Sequence, residues 1–279
     1  MKSEKGLSVR KAQDRTVRAV TLIVTLAILV PLFDIIYIVA VNAIPALNID
    51  MFVHTTVTNG LLNAIVGSLF LVVLSSAIAV TIGIFSGIYL AEFGGTFASA
   101  IRFFADVLTG VPSIVVGYFG YIVFVLYLGW GFSALAAAMA LTIIMLPYIT
   151  RTTEFALRRV PSEIKEGSYA LGASKSTTVN RISLRYAAPG IITGILIGVS
   201  ISLGETAPLL YTAFFSNYLP NAALTHSPVG YLTYVIWAFI NEPLALAHQQ
   251  AYVASLLLMI FVLCLGLGAR FLVARWWKS

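Results

Sequence analysis

Six apolar runs constrain this chain more than anything else in it: Ala19–Val41, Leu61–Leu90, Phe104–Leu128, Ser133–Tyr148, Ala187–Phe214 and Tyr252–Val273. About 20 apolar residues wound as a helix cross a bilayer core of roughly 30 Å. Inside hydrocarbon each backbone N–H and C=O must find its partner within the protein, which leaves helices as the spanning solution for such runs. The sequence therefore predicts an all-α integral membrane protein with six transmembrane helices. Composition agrees, with 59% hydrophobic and only 10% charged residues, against about a quarter charged in soluble domains. Leu61–Leu90 is longer than a bilayer needs and is expected to tilt or protrude. Ser133–Tyr148 is short for a span. The first run is too long for a signal-peptide core and lacks a small-residue cleavage site, so it reads as a retained anchor. The single Cys264 excludes an intrachain disulfide and reads as core packing. No internal repeat or separate soluble domain is visible.

Charge placement sets the expected orientation. All 17 Lys and Arg fall in four patches: Lys2–Arg18, Arg102, Arg151–Arg185 and Arg270–Lys278. Cytoplasmic segments carry the excess of Lys and Arg, so both termini and the second and fourth loops are expected inside. The net charge of +6 is then an orientation signal and not a nucleic-acid footprint. Asn42–Gly60, the turn Gly129–Phe132 and Ser216–Gln250 are expected outside. Val229–Ile240 is too short to span. Its Tyr231, Tyr234 and Trp237 suit the outer interface, with a re-entrant helix as the alternative. The chain divides into a basic tail (1–18), a first helix with its external loop (19–60), and a core (61–279) carrying a cytoplasmic loop, 149–186.

That loop contains "GASKST", Gly172–Thr177, which superficially resembles a nucleotide-binding loop. A phosphate-cradling loop needs a Gly directly before its Lys and another five positions earlier. Ser174 and Tyr169 stand there instead, so an ATP site is excluded. Local chemistry predicts two short helices. Pro161 and Ser162 open the first, with Glu163 and Glu166 near its positive end. Gly172 suits a left-handed C-cap. Ser174 caps the second, which places Val179, Ile182 and Tyr186 on one face before Pro189 starts the fifth span.

At this point the residues resemble a known family. Glu166-Gly167-Ser168, Gly172, Ile182 and Leu184 match the spacing of the "EAA" loop of ABC importer permeases, with Gly-Ser for the usual Ala-Ala and Arg185 for the usual Pro. The resemblance implies a type I (MetI-like) permease fold. It also implies that Glu166, Gly167, Ser168, Ala170, Leu171 and Gly172 form a coupling helix that docks on a separate ATPase. "LTGVPSIVVGYFG" (Leu108–Gly120), "TRTTEFALRRVPSEIKEGSYALGAS" (Thr150–Ser174) and "GETAPLLYTA" (Gly204–Ala213) are similar to the phosphate-specific (Pst) permeases, the third favouring the PstA type over PstC. The similarity runs from about Leu61 to Val273. One departure stands out. The family often carries an Arg shortly before Gly-Glu-Thr, where this chain has Ser200, Ile201, Ser202 and Leu203.

Membership of that family would make the chain one half of a phosphate path in a prokaryotic plasma membrane. Its partners would be a PstC-type permease, two PstB-type ATPases and an external PstS-type phosphate-binding protein. ATP and Mg would sit on the ATPases, and this chain would bind no cofactor. The residues themselves fit an anion path, because a desolvated oxyanion needs donors to replace its water. Arg151 offers a planar fork suited to phosphate, and Glu154 lies one helical turn away. An interfacial salt bridge is the plain alternative. Glu205 reads as a carboxylate within span five, either functional or paired with a neighbouring helix. Thr206, Thr109 and Ser113 add neutral donors, and Gly110 and Pro112 interrupt span three. Asp34 reads as a helix–helix contact, and Asp106 as a cap on span three. His54, His226 and His248 have no metal-ligand spacing, and no catalytic constellation points to an enzyme. A self-contained ion-coupled anion transporter or channel is the competing function, but it leaves the capped loop without a purpose.

Overall fold

The computed structural model describes residues 2–276, with side chains for residues 13–268, 270 and 271. All regular structure in those residues is helical. Helix α1 is Lys2–Ala43, so the basic segment at the chain start continues into the first span. Then follow α2 (Leu62–Phe93), α3 (Thr96–Gly110), α4 (Ser113–Tyr127) and α5 (Ala134–Arg158). The second half holds α6 (Ser162–Ala170), α7 (Lys175–Gly204), α8 (Ala207–Thr212), α9 (Leu232–Phe239) and α10 (Ala245–Trp276).

Helix α5 is the axis of the bundle, with α2 and α7 packed along it. Its first turns are nearly all alanine, and Ala134, Ala136, Ala137, Ala138 and Ala140 are fully buried. Between helices in lipid the drive is close packing more than water exclusion, so small residues win at contacts. Glycines on the flanking helices do the same work. A Cβ at Gly87 of α2 would run into Thr153, and one at Gly194 of α7 would run into Thr152. Ser133 starts α5 by accepting from the Ala136 N–H at 3.4 Å. The run expected at Ser133–Tyr148 is thus a full span, extended ten residues beyond Tyr148 by a polar, arginine-bearing end.

Span three is not straight. Helices α3 and α4 meet at 106° across the break at Val111 and Pro112. Val111 is extended (φ −76°, ψ 127°), as the residue before a proline prefers, and Pro112 brings no N–H to continue the ladder. The two ends decide whether the pair crosses the membrane. Arg102 of α3 bonds the Leu90 carbonyl at the far end of α2 (2.8 Å). Beyond α4, the Trp130 carbonyl accepts from the His226 N–H (2.7 Å), and the Ser133 N–H donates to the Thr212 carbonyl (2.9 Å). The pair therefore joins opposite ends of the bundle as one broken span, and with five unbroken helices the count among the described residues is six.

Several expectations need correction. The second loop helix is not separate. Lys175–Thr178 runs through a π-helical turn, Val179–Ser183, into α7, and Pro189 lies inside that helix instead of starting it. Membrane helices tolerate such a proline because neighbours and local widening take up the freed groups. Ile182 is half-buried but Tyr186 is exposed, so only Val179 of the proposed face is buried. Span five ends at Gly204, short of Phe214, and α8 begins after an extended link with Pro208 in its first turn. Tyr231 is not an interface residue: it is buried in the cluster with Leu71, Leu141 and Leu209. Trp237 alone of the three aromatics is exposed. Cys264 faces outward on α10 instead of packing. Asp34 lies on the exposed side of α1, not at a helix contact within this chain.

Candidate functional site

The charged residues at the basic end of the bundle converge on one carboxylate. Glu154, 1% exposed, projects from the last turns of α5. Its Oε1 meets Arg102 Nε of α3 at 2.7 Å and Arg158 Nη2 at 3.0 Å, while Oε2 meets Arg151 Nη1 at 2.7 Å. Arg151 Nε also pairs with Asp106 Oδ1 at 3.1 Å. Asp106 therefore sits mid-helix as a pairing partner and does not cap span three. Arg151 also lies over the Phe155 ring, 5.1 Å from its centroid. With Arg102, Arg151 and Arg158 against Glu154 and Asp106, the cluster keeps one net positive charge.

The cluster also closes a helix end. The last carbonyls of a helix lack intrahelical donors, and cations suit that negative terminus. The Leu90 carbonyl of α2 receives Arg102 Nη2 at 2.8 Å and Arg158 Nη2 at 3.5 Å. Three helices, α2, α3 and α5, are thus stitched together at one carboxylate. Sequence reading found the Arg151–Glu154 pair but missed Arg102 and Arg158. Arg102 did carry a signal, as the only basic residue between Arg18 and Arg151.

A second group lies further along the bundle. Glu205 (φ −73°, ψ 129°) occupies the extended link after α7 and is no longer helical. The side chain of Ser113, first residue of α4, lies close to its carboxylate. The two helix breaks thus face each other. Their helices touch where a Cβ on Gly117 would fall 2.7 Å from Pro208 Cα. Thr233 of α9 donates to the Glu205 carbonyl at 2.9 Å. Thr206 is half-buried beside it, with its carbonyl accepting from Leu210. Thr109 is exposed and donates back to Ala105 (2.9 Å), so it does not join the group. Arg151 and Glu205 are not brought together. From Gly194, opposite Thr152, to Glu205 is roughly 16 Å of helix at 1.5 Å per residue.

The loop helices form the third group. Gly172 adopts φ +81° with open space around it, as a left-handed cap requires. Ser174 Oγ accepts from the Thr177 N–H at 3.2 Å. Ser168 is buried, its hydroxyl 2.9 Å from Thr178 Oγ1, which clasps α6 to the start of α7. Beyond that clasp the surface is open. Leu171 is 90% exposed, with Tyr169 and Ile164 beside it. Glu166, Gly167 and Ala170 are solvent-facing or open as well. Among the described residues no group of His, Cys, Asp and Glu is placed to hold a metal ion.

Such a bundle, with six crossings and a capped helical loop at its basic end, is a membrane-embedded permease. Its fold recurs in a chain of the inward-facing MetNI methionine ABC transporter, with a TM-score of 0.60 over 77% of this chain and 95% of that one. Identity there is 20%, which speaks to fold alone. "Phosphate transport system permease protein PstA 2" of Mycobacterium tuberculosis (strain CDC 1551 / Oshkosh) is 44% identical over 227 residues, covering 80% of this chain and 75% of that protein. PstA of Xylella fastidiosa (strain Temecula1 / ATCC 700964) is 37% identical, covering 84% of this chain and 83% of its own length. A probable PstA of Methanocaldococcus jannaschii is 33% identical over 96% of both chains. The pattern of the binding-protein-dependent transport system inner membrane components matches residues 79–278, and this chain belongs to that family, in its PstA group.

Proposed function

We infer that this chain is the permease subunit of an ATP-driven importer of inorganic phosphate. The observation that carries the reading is its likeness, at 33% to 44% identity over most of the chain, to permeases named for phosphate transport. The inner cluster fits that substrate. Arg151 already holds two carboxylates and its side chain is 26% exposed, so an incoming oxyanion can exchange with the exposed Asp106 on the same fork. Glu154 positions the fork, and Glu205 with Ser113, flanked by Thr206, forms an upper constriction where both helices are broken. Thr109, exposed and back-bonded, is left as a wall residue.

The open apolar surface of Leu171, Tyr169 and Ile164 is the docking face for a separate ATPase, with Glu166, Gly167, Ser168, Ala170 and Gly172 shaping it. A second, PstC-type permease completes the path, two PstB-type ATPases carry ATP and Mg, and a PstS-type protein delivers phosphate from outside. Both termini then lie in the cytoplasm of a prokaryotic cell, and the chain itself does no chemistry. Closure of the ATPases on ATP moves the coupling helices and opens the path between the permeases; hydrolysis resets it. The test is reconstitution. Vesicles holding the purified complex should take up radiolabelled phosphate only with ATP inside and the binding protein outside. Uptake driven by an ion gradient alone would overturn the reading.

A further inference from the structure

Beside the arginine cluster lies a groove that the transport reading leaves unused. It opens between the inner ends of α5 and α7, encloses about 870 Å³, and is lined by Phe155, Ala156, Arg159, Arg185, Pro189 and Gly190 among others. Both arginines line it, Arg159 just past the end of α5 and Arg185 from α7. Arg151 and Arg158 are committed to Glu154. Arg159 and Arg185 have no ion pair among the described residues, and both are exposed. Two unpaired arginines lining one space suit the oxygens of a tetrahedral phosphate. The remainder of the space is mostly apolar, and the Thr152 and Thr193 hydroxyls that also line it donate back to the carbonyls of Tyr148 and Pro189. Its floor is a close helix contact, where a Cβ on Gly190 would fall 2.8 Å from Ala156 Cβ.

A free phosphate ion would fill the mouth and leave this floor empty. An amphiphile fills both. Arg185 lies two residues before the apolar stretch that begins at Ala187, which puts the mouth near headgroup depth and the floor toward acyl depth. Basic pockets between membrane helices on the cytoplasmic side suit anionic headgroups. We propose that this groove is a binding site for an anionic phospholipid, with its phosphate on Arg159 and Arg185 and an acyl chain against Phe155, Ala156 and Pro189. The assignment rests on the membrane fold and not on what the chain transports.

Native mass spectrometry of the delipidated complex, titrated with phosphatidylglycerol, reads the site without any transport assay. At about 1 kcal/mol per basic residue near an anionic surface, the Arg159→Gln/Arg185→Gln pair should bind phosphatidylglycerol about 10- to 30-fold more weakly. Arg181→Gln, an exposed arginine outside the groove, should bind like wild type. Should the double variant fail to assemble, each single variant decides, with a loss of about 3- to 5-fold expected. Wild-type lipid binding in the groove variants, equal loss in Arg181→Gln, or displacement of the lipid by millimolar inorganic phosphate would each overturn the proposal. The last result would assign the mouth to free phosphate instead.

Discussion

Removing the charge of Glu154 should unstitch the basic end of the bundle, and the structure ranks the costs of doing so. Glu154 is buried, while its arginine partners Arg102, Arg151 and Arg158 are 29%, 26% and 52% exposed at the side chain. Losing one member of a buried pair costs about 3–5 kcal/mol, because the other charge is left uncompensated. Partly exposed arginines can turn toward water, so Glu154→Gln is placed at the lower end, about 3 kcal/mol, or roughly a hundredfold in the folding equilibrium. Arg158→Gln removes a half-exposed i, i+4 contact, worth about 0.3–0.5 kcal/mol, and a long 3.5 Å contact to the Leu90 carbonyl that Arg102 already caps at 2.8 Å. Arg102→Gln should fall between the two, since it loses both Glu154 and the capped Leu90 carbonyl.

Titration of the purified protein with SDS in mixed micelles, followed by tryptophan fluorescence, measures these differences. A double-mutant cycle of Glu154→Gln with Arg102→Gln isolates their coupling. A cost below about 1 kcal/mol for Glu154→Gln, or equal costs for Glu154→Gln and Arg158→Gln, would refute the argument. Either result would mean that the carboxylate is not the point where the three helices are joined.

Three further outcomes follow from the same geometry. Arg151→Gln should abolish phosphate uptake in the reconstituted complex with normal subunit stoichiometry, and Arg151→Lys should be impaired, because a point charge cannot reproduce a bidentate fork. Gly172→Leu should uncouple ATP hydrolysis from uptake at normal expression, since φ +81° disfavours a side chain by about 1–2 kcal/mol; Gly172→Asn, which tolerates that conformation, should keep more coupling. Single cysteines introduced by Asn48→Cys or Asn221→Cys in a Cys264→Ser background should react with an impermeant thiol reagent from outside, and Ser176→Cys only after the membrane is opened.

The parts legible in the sequence were those with a local cause. Apolar run lengths give the spans, and the chemistry of Pro161, Gly172 and Ser174 gives the loop helices, because caps and turns are set by a few neighbouring residues. What stayed hidden depends on tertiary contact. Nothing in "RFFADVL" (Arg102–Leu108) says that Arg102 reaches Glu154 across 52 positions. Likewise Pro112 announces a break, but the 106° turn follows from how α3 and α4 pack on their neighbours. Pro189 misled for the opposite reason: its local preference to start a helix was overridden by contacts along α7. Tyr231 misled because an amphipathic ring suits either a membrane interface or a core, and only its neighbours decide.

One contact joins the loop to the cluster and yields the most discriminating prediction about coupling. Lys165 of α6 meets Glu92 in the π-helical last turn of α2 at 2.6 Å, with side chains 21% and 6% exposed. Lys175, at the start of α7, lies 4.6 Å from the ring centroid of the adjacent Phe93. That same turn presents the Leu90 carbonyl to Arg102 and Arg158. A force applied to α6 therefore reaches Glu154 through charged contacts, with no flexible loop between. Spatial continuity alone is not coupling, so the link must be cut and restored. Lys165→Glu should lower uptake per ATP hydrolysed while the complex still assembles and hydrolyses ATP. Breaking the pair from one side should cost more than the roughly 0–1 kcal/mol of an exposed bridge, because the Glu92 carboxylate is buried and would be left unpaired. The charge-swapped double variant, Lys165→Glu with Glu92→Lys, should recover much of the ratio. If the single variant transports with wild-type stoichiometry, or the swap is no better than the single change, then α6 moves independently of α2. The stroke would then have to pass through the Ser168–Thr178 clasp into α7.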